Sequence, residues 1–310
     1  ILIPFGLILV PLFLSLFFSI AILLIGPFLN YNINSIILFS GTLGAVDYVR
    51  SKVLTGFPWN LWSYSFSWAL DILQILNVIG LFAFNLITIS LFMLPAIIFC
   101  NSKLSSKFFY LSMIPVILLA LYIYGNHSIN QNQYFLDNID KKINIKVISP
   151  NFELNYGLSN EDIKERLSRL IRYSDPEKNL KTLFVWPEGV FSGYSYGQLS
   201  NLKDIFYKNF SENHLILFGV NILDKKKGGF FNSLIIVNNR FEKIYEYKKQ
   251  KLVPFGEFLP LEKILNKFGL KKITEGHGSF LKGRKQNNFN EENVSILPLI
   301  CYEIIFPKLS

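Results

Sequence analysis

The chain has 310 residues, 51% of them hydrophobic and 17% charged, with 31 Lys and Arg against 22 Asp and Glu for a formal net charge of +9. The lysines are spread along the chain without a basic helix or an RNA-binding signature, so a nucleic-acid partner is not indicated. Two cysteines, Cys100 and Cys301, argue against a disulfide framework, and His127, His214 and His277 lack metal-ligand spacing, so no metal site is expected.

The charge is unevenly placed. No charged side chain occurs from Ile1 to Val46, whereas Lys, Glu and Asp recur every few residues from Lys141 onward. A helix rises about 1.5 Å per residue, so roughly 20 apolar residues cross a bilayer core. About four spans are predicted on this basis: 1–29, 35–54, 72–100 and 108–124. The second is the weakest, because Asp47, Arg50 and Lys52 fall in its last part, although Asp47 and Arg50 are three apart and share a helical face. Residues 1–125 are thus a transmembrane helical region, 126–143 a linker, and 144–310 a water-facing domain. Span parity puts the Gly56–Asp71 connection on the same side of the membrane as everything after Tyr124.

Beyond the linker, short β-branched runs alternate with amphipathic helices. Asn144–Ser149 reads as a strand, and Glu161–Tyr173 as a helix capped by Ser159, with Ile163, Leu167, Leu170 and Ile171 on one face. Thr182–Trp186 and Leu215–Val220 read as buried strands. Ser233–Val237 and Lys243–Tyr247 form a hairpin around Asn238-Asn239, and Val294–Ile300 is a last strand. The mixture predicts a layered α/β domain.

Three of these strands run into chemically useful side chains: Glu188, Lys249 and Cys301. Singly, each has an ordinary explanation as a helix N-terminal acid, a solvated lysine or a small buried hydrophobe. Together they meet a specific need. A thiol attacks an acyl carbonyl as thiolate, which requires a base for its proton, and a cation to favour the thiolate and the oxyanion that follows. Glu188 offers the base and Lys249 the cation. A helix starting after Cys301 would also aim its N–H groups at the sulfur.

Trp186-Pro187-Glu188, Lys249-Gln250-Lys251-Leu252-Val253-Pro254-Phe255-Gly256-Glu257 and Cys301-Tyr302-Glu303 together resemble the nitrilase superfamily. They are most similar to its membrane branch, the apolipoprotein N-acyltransferases. Thr55-Gly56-Phe57-Pro58-Trp59-Asn60 resembles that family's loop after a membrane helix, and Phe231-Asn232-Ser233 its Tyr-Asn-Ser strand start. The family's usual Tyr-Asp-Lys-x-His is here Tyr247-Lys248-Lys249-Gln250-Lys251. The register of the lysine therefore rests on the Leu252–Glu257 anchor, with Lys248 and Lys251 as outside candidates.

The resemblance implies a nitrilase-like α-β-β-α sandwich behind a membrane helical bundle. It also implies a Glu188, Lys249, Cys301 triad supported by Glu257, Tyr302 and Glu303, with Phe57 and Trp59 as a lipid portal or aromatic interface anchor. The implied reaction moves a fatty acyl group from a phospholipid, typically phosphatidylethanolamine, through a Cys301 thioester. The acceptor is the N-terminal amine of an S-diacylglyceryl-cysteine apolipoprotein, and neither metal nor diffusible cofactor is required. The implied location is the bacterial inner membrane, multi-pass, with the catalytic domain facing the periplasm. Two other readings are a membrane-tethered amidase, in which water resolves the thioester, and a catalytically inactive lipid-binding scaffold. The chain opens without Met inside an apolar run and stops at Ser310 just past Cys301, so it is expected to be a fragment lacking both ends and inactive alone.

Overall fold

The computed structural model describes residues 3–53, 56, 60–138, 143–153, 155, 157–260, 262, 279–291, 294–306 and 309. Phe57 and Trp59, with the neighbouring Thr55 and Pro58, lie outside the described residues, as does His277. The chain divides into two compact units, Ile1–Ile139 and Asp140–Ser310.

The first unit is helical. α1 (Ile3–Ile25) contains no charged residue, and the turn after it begins with Gly26-Pro27. α2 (Ile33–Arg50) starts at Asn32, whose side chain accepts the Ser35 N–H at 3.0 Å, satisfying one of the orphan donors of the first turn. A short α3 (Leu70–Leu73) leads to α4 (Leu76–Met93), interrupted at Gly80, which adopts φ 75° as only glycine does freely. α5 (Leu104–Asp137) runs 34 residues, about 51 Å. The segment read as the start of a linker, from 126, is therefore helical as far as Asp137.

Among the described residues, three segments are long and apolar enough to cross a membrane: Leu7–Phe28, Leu76–Phe99 and Leu104–Asp137. The expected span at 35–54 exists as α2 but is not among them. Its charged end is internally paired instead. Arg50 donates to Asp47 at 3.0 Å, Asn85 of α4 donates to the other Asp47 oxygen at 2.8 Å, and the Ser63 N–H donates to Asn85 at 3.0 Å. Phe66, Ile72, Phe84 and Leu121 form one apolar cluster, while Ile36, Ile97 and Cys100 form another, so Cys100 is packing. Gly125 is required by the approach of α3 to α5: a Cβ there would lie 1.7 Å from the Asp71 carbonyl oxygen.

The second unit is a mixed α/β layer structure. Five strands, β1 (Asn144–Val147), β2 (Thr182–Val185), β3 (His214–Asp224), β4 (Gly229–Val237) and β5 (Lys243–Lys248), lie in sequence order in one sheet. β1, β2 and β3 are parallel, and β3, β4 and β5 antiparallel. α6 (Asn160–Ser174) starts at a reciprocal cap in which Ser159 and Asp162 exchange backbone and side-chain bonds. Its Ile163, Leu167 and Leu170 join Phe206 of α7 (Lys203–Asn209) against Phe184, Trp186, Ile216, Phe218 and Ile235 of one sheet face. The opposite face, Leu183, Leu217 and Ile236, packs on Phe289 and Ile296 of the small hairpin β6 (Phe289–Glu291) and β7 (Val294–Ile296). The layers are thus helices, sheet and hairpin.

Strand bounds shift from the sequence reading: β1 stops at Val147 rather than Ser149, β3 widens from Leu215–Val220 to His214–Asp224, and β4 starts at Gly229 rather than Ser233. The β4–β5 connection is a five-residue turn, closed by Asn238 N–H to Glu242 O at 3.2 Å, with Phe241 at φ 58°. β7 stops at Ile296 rather than Ile300, because Pro298 has no N–H to continue a ladder.

Candidate active site

β2 delivers Glu188. Trp186 is buried, its ring N–H bonded to Ser174 at 3.0 Å and its backbone N–H to the Leu217 carbonyl at 2.8 Å, which keeps the chain extended along β3. The chain then turns at Gly189, φ 74°. No helix follows Glu188 directly, which removes the helix-cap explanation for this acid. Gly219 of β3 lies under it: a Cβ at that position would come within 3.1 Å of the Glu188 Cα.

β4 supplies Asn232. Its side-chain amide donates to Glu188 Oε1 at 2.9 Å and to Glu257 Oε1 at 2.7 Å, holding two carboxylates on one group. The Asn232 carbonyl accepts the Lys249 N–H at 2.9 Å, extending the β4–β5 pairing by one step. Lys249 is 1% exposed and donates from Nζ to Glu257 Oε1 at 2.8 Å. Glu257 is fixed in turn by the Val253 N–H on Oε2 at 2.8 Å. Its position depends on the tight Leu252–Glu257 loop, in which Phe255 has φ 62°. A buried ammonium needs such a partner, since desolvation without one is costly.

The other lysines of the run go elsewhere. Lys248 pairs with Glu246 at 3.2 Å and lies 4.5 Å over the Phe231 ring, while Lys251 Nζ sits 4.9 Å over the Phe306 ring. Of the three, Lys249 reaches the carboxylate cluster.

Cys301 is exposed and takes φ 48°, a left-handed backbone that presents the residue at a sharp corner. The element that follows is a five-residue 3-10 turn, Cys301–Ile305, not the α-helix expected from sequence, so no helix N-terminus is aimed at the sulfur. A carboxylate organises this turn. Glu303 is fully buried, and Oε1 accepts the N–H groups of Gln250 at 2.7 Å and Lys251 at 3.0 Å. Oε2 accepts the Ile300 N–H at 3.0 Å, and the Tyr247 hydroxyl donates to both oxygens at 3.0 Å. Burial, reinforced by the Glu303 charge, raises the Tyr247 phenol pKa, which keeps it a donor. Tyr302 packs edge-on to Phe306 at 5.1 Å, and burial raises its phenol pKa as well.

The structure therefore joins Glu188, Lys249 and Glu257 in one hydrogen-bonded cluster and ties the Cys301 turn to the residues just after Lys249 through Glu303. Phe57 and Trp59 are outside the described residues. Asn232 and Gly219 were not among the sequence candidates for the site. The signal for each was an Asn or Gly interrupting an otherwise apolar strand.

Residues 1–94 match the family model described as the apolipoprotein N-acyltransferase N-terminal domain. The chain is 27% identical over 317 residues to an apolipoprotein N-acyltransferase of Bradyrhizobium diazoefficiens, covering 98% of this chain and 58% of the relative. It is 29% identical over 314 residues to that of Rickettsia prowazekii, covering 99% and 60%. The chain thus spans about three fifths of the length of the curated relatives it matches. Among solved structures, an N-terminal amidase is similar at 20% identity, over 43% of this chain and 31% of that one, with a TM-score of 0.26. Along nearly its whole length, the chain is similar to apolipoprotein N-acyltransferases.

Proposed function

From this similarity, we propose that the protein is a membrane acyltransferase acting on apolipoproteins, with Glu188, Lys249 and Cys301 as its catalytic residues. The observation that carries the assignment is the Asn232 amide bridging Glu188 and Glu257 while Lys249 bonds the same Glu257. The amide donor fixes the Glu188 carboxylate in place for proton transfer. A cation seated without water is pre-organised for an oxyanion.

In the first half-reaction Glu188 takes the Cys301 proton, and the thiolate attacks an ester carbonyl of a glycerophospholipid. Lys249 stabilises the tetrahedral oxyanion. As it collapses, the C–O bond breaks and Glu188 returns the proton to the glycerol oxygen, releasing lysophospholipid and leaving an acyl thioester on Cys301. In the second half the N-terminal amine of a diacylglyceryl cysteine attacks the thioester, Glu188 accepts an amine proton, and the C–S bond breaks. The products are an amide and, after proton return, the free thiol.

Glu257 and Glu303 are positioning residues in this scheme, one for Lys249 and one for the Cys301 turn. Tyr302 supports that turn against Phe306. Phosphatidylethanolamine is the proposed donor, and the proposed setting is the inner membrane with the catalytic unit in the periplasm. Both substrates carry acyl chains that leave a bilayer reluctantly, which explains an enzyme built on apolar helices. The test is mass spectrometry of the full-length protein with phospholipid alone, then with an N-terminal diacylglyceryl lipopeptide. Hydroxylamine-labile acyl on Cys301, lost on addition of lipopeptide as an N-acyl product forms, is expected. Release of free fatty acid with no lipopeptide product would favour the amidase reading.

A further inference from the structure

The Asp224–Gly229 tip of the β3–β4 hairpin carries Lys225, Lys226 and Lys227, all exposed. The segment 281–286 adds Lys282, Arg284 and Lys285, also exposed. Lys227 and Lys282 are 55 residues apart in sequence, yet the fold fastens the two basic runs together. The Leu281 N–H donates to the Phe230 carbonyl at 2.7 Å, and the Leu281 side chain lies against Gly229, where a Cβ would come within 3.0 Å of it. The Gly283 N–H donates to the Lys249 carbonyl at 2.8 Å, and the Lys248 N–H donates to Gln286 at 2.6 Å. Gly283 lies so flush that a Cβ would sit 2.1 Å from the Lys248 carbonyl oxygen.

None of the six basic side chains forms an ion pair among the described residues. The carboxylate nearest in sequence, Asp224, accepts the Lys226 and Lys227 N–H groups at 2.9 and 3.2 Å, closing the turn. Like charges on adjoining exposed segments repel unless an anionic surface offsets them. Beside them Leu223 is 45% exposed, an apolar contact amid cations. Lysines next to an exposed aliphatic side chain suit a layer with phosphates above hydrocarbon better than a nucleic acid. The described residues of the first unit already include three bilayer-length apolar segments.

We propose that this composite basic surface docks on an anionic phospholipid bilayer. The segment that carries half of the charge is bonded to the backbone of Lys249, so docking holds the candidate site at headgroup level. The inference does not depend on which acyl chemistry the site performs.

The test uses the full-length protein in nanodiscs of phosphatidylcholine, with or without phosphatidylglycerol, and reads amine-reactive labelling lysine by lysine. Lys178 is the internal control: its carbonyl bonds Ser211 near the opposite end of β3, roughly 33 Å from the tip at about 3.3 Å per strand residue. Labelling of Lys225–Lys227, Lys282 and Lys285 is expected to slow about fivefold or more with phosphatidylglycerol, to recover at high salt, and to stay constant at Lys178. In the triple variant K225E, K226E, K227E, protection at Lys282 and Lys285 should be lost. Equal patch labelling in the two lipids, or equal slowing at Lys178, would overturn the proposal. So would stronger protection of the same lysines by a single-stranded oligonucleotide than by the anionic lipid.

Discussion

Glu303, two residues past Cys301, accepts the backbone N–H of Gln250, the residue after Lys249, at 2.7 Å. One buried carboxylate thereby sets the separation between the thiol's turn and the lysine's strand end. It collects five short contacts from four donors, the Tyr247 hydroxyl being shared between its oxygens.

Glu303→Gln replaces one acceptor oxygen with an NH2 facing donors. Each buried donor left without a partner costs about 1–3 kcal/mol. The variant is expected to lose thermal stability in the second unit and to form the Cys301 thioester far more slowly. Tyr247→Phe removes a single donor and should lose less. Thermal unfolding combined with thioester mass spectrometry reads both, and wild-type acylation by Glu303→Gln would remove Glu303 from the positioning scheme.

Asn232→Asp places a third carboxylate where an amide now holds two. Like charges at such range repel, so the hold on Glu188 and Glu257 should be lost. Acylation of Cys301 is expected to fall in Asn232→Ala and to fall further in Asn232→Asp. Identical acylation rates in all three proteins would show that Asn232 does not act through Glu188.

Glu188 and Lys249 were legible in sequence because each comes just after a recognisable strand. The strands read at Thr182–Trp186 and Lys243–Tyr247 form over Thr182–Val185 and Lys243–Lys248, and Ser159 caps α6 with its apolar face buried. Asn232 was not legible as a bridge, because its role depends on the pairing of Asn221 with Asn232 and on Lys249 continuing that register. Nor was the reach of α5. The shift to polar residues after Gly125 marks a change of surroundings, whereas the helix continues through a stretch without Pro or a further Gly. The helix expected after Cys301 is only a 3-10 turn.

Lys249→Arg keeps the charge but cannot place a compact ammonium on Glu257 in a fully buried slot. Acylation of Cys301 is expected to fall about 10²–10³-fold, the loss typical of one oxyanion donor. Lys248→Ala and Lys251→Ala, whose ammonium groups lie over Phe231 and Phe306, should change the rate much less. A larger loss from either would mean that the register of the catalytic lysine is wrong.

His214 gives the second unit a pH dependence of stability separate from catalysis. The ring is fully buried between Phe184 and Phe210, with centroids at 5.2 and 5.9 Å. Nδ1 accepts the Ser211 N–H at 3.1 Å and Nε2 faces the Glu177 carbonyl at 3.0 Å, so the ring is held neutral with its proton on Nε2. Burial lowers its pKa from the ordinary 6.5, and the nearby Lys146 charge adds to this despite the opposing carbonyl contact. With the folded pKa below the unfolded one, the two states bind protons equally above 6.5, and the unfolded state binds more as pH falls through 6.5. Stability is therefore full near neutrality and declines on acidification, levelling off below the folded pKa. His214→Gln should be less stable than the wild type at pH 7 but lose less on going to pH 5. Hydrogen exchange of β2 and β3 amides in the full-length protein at those two pH values provides the measurement. A wild-type loss no larger than that of His214→Gln would place the acid sensitivity of this unit on other groups.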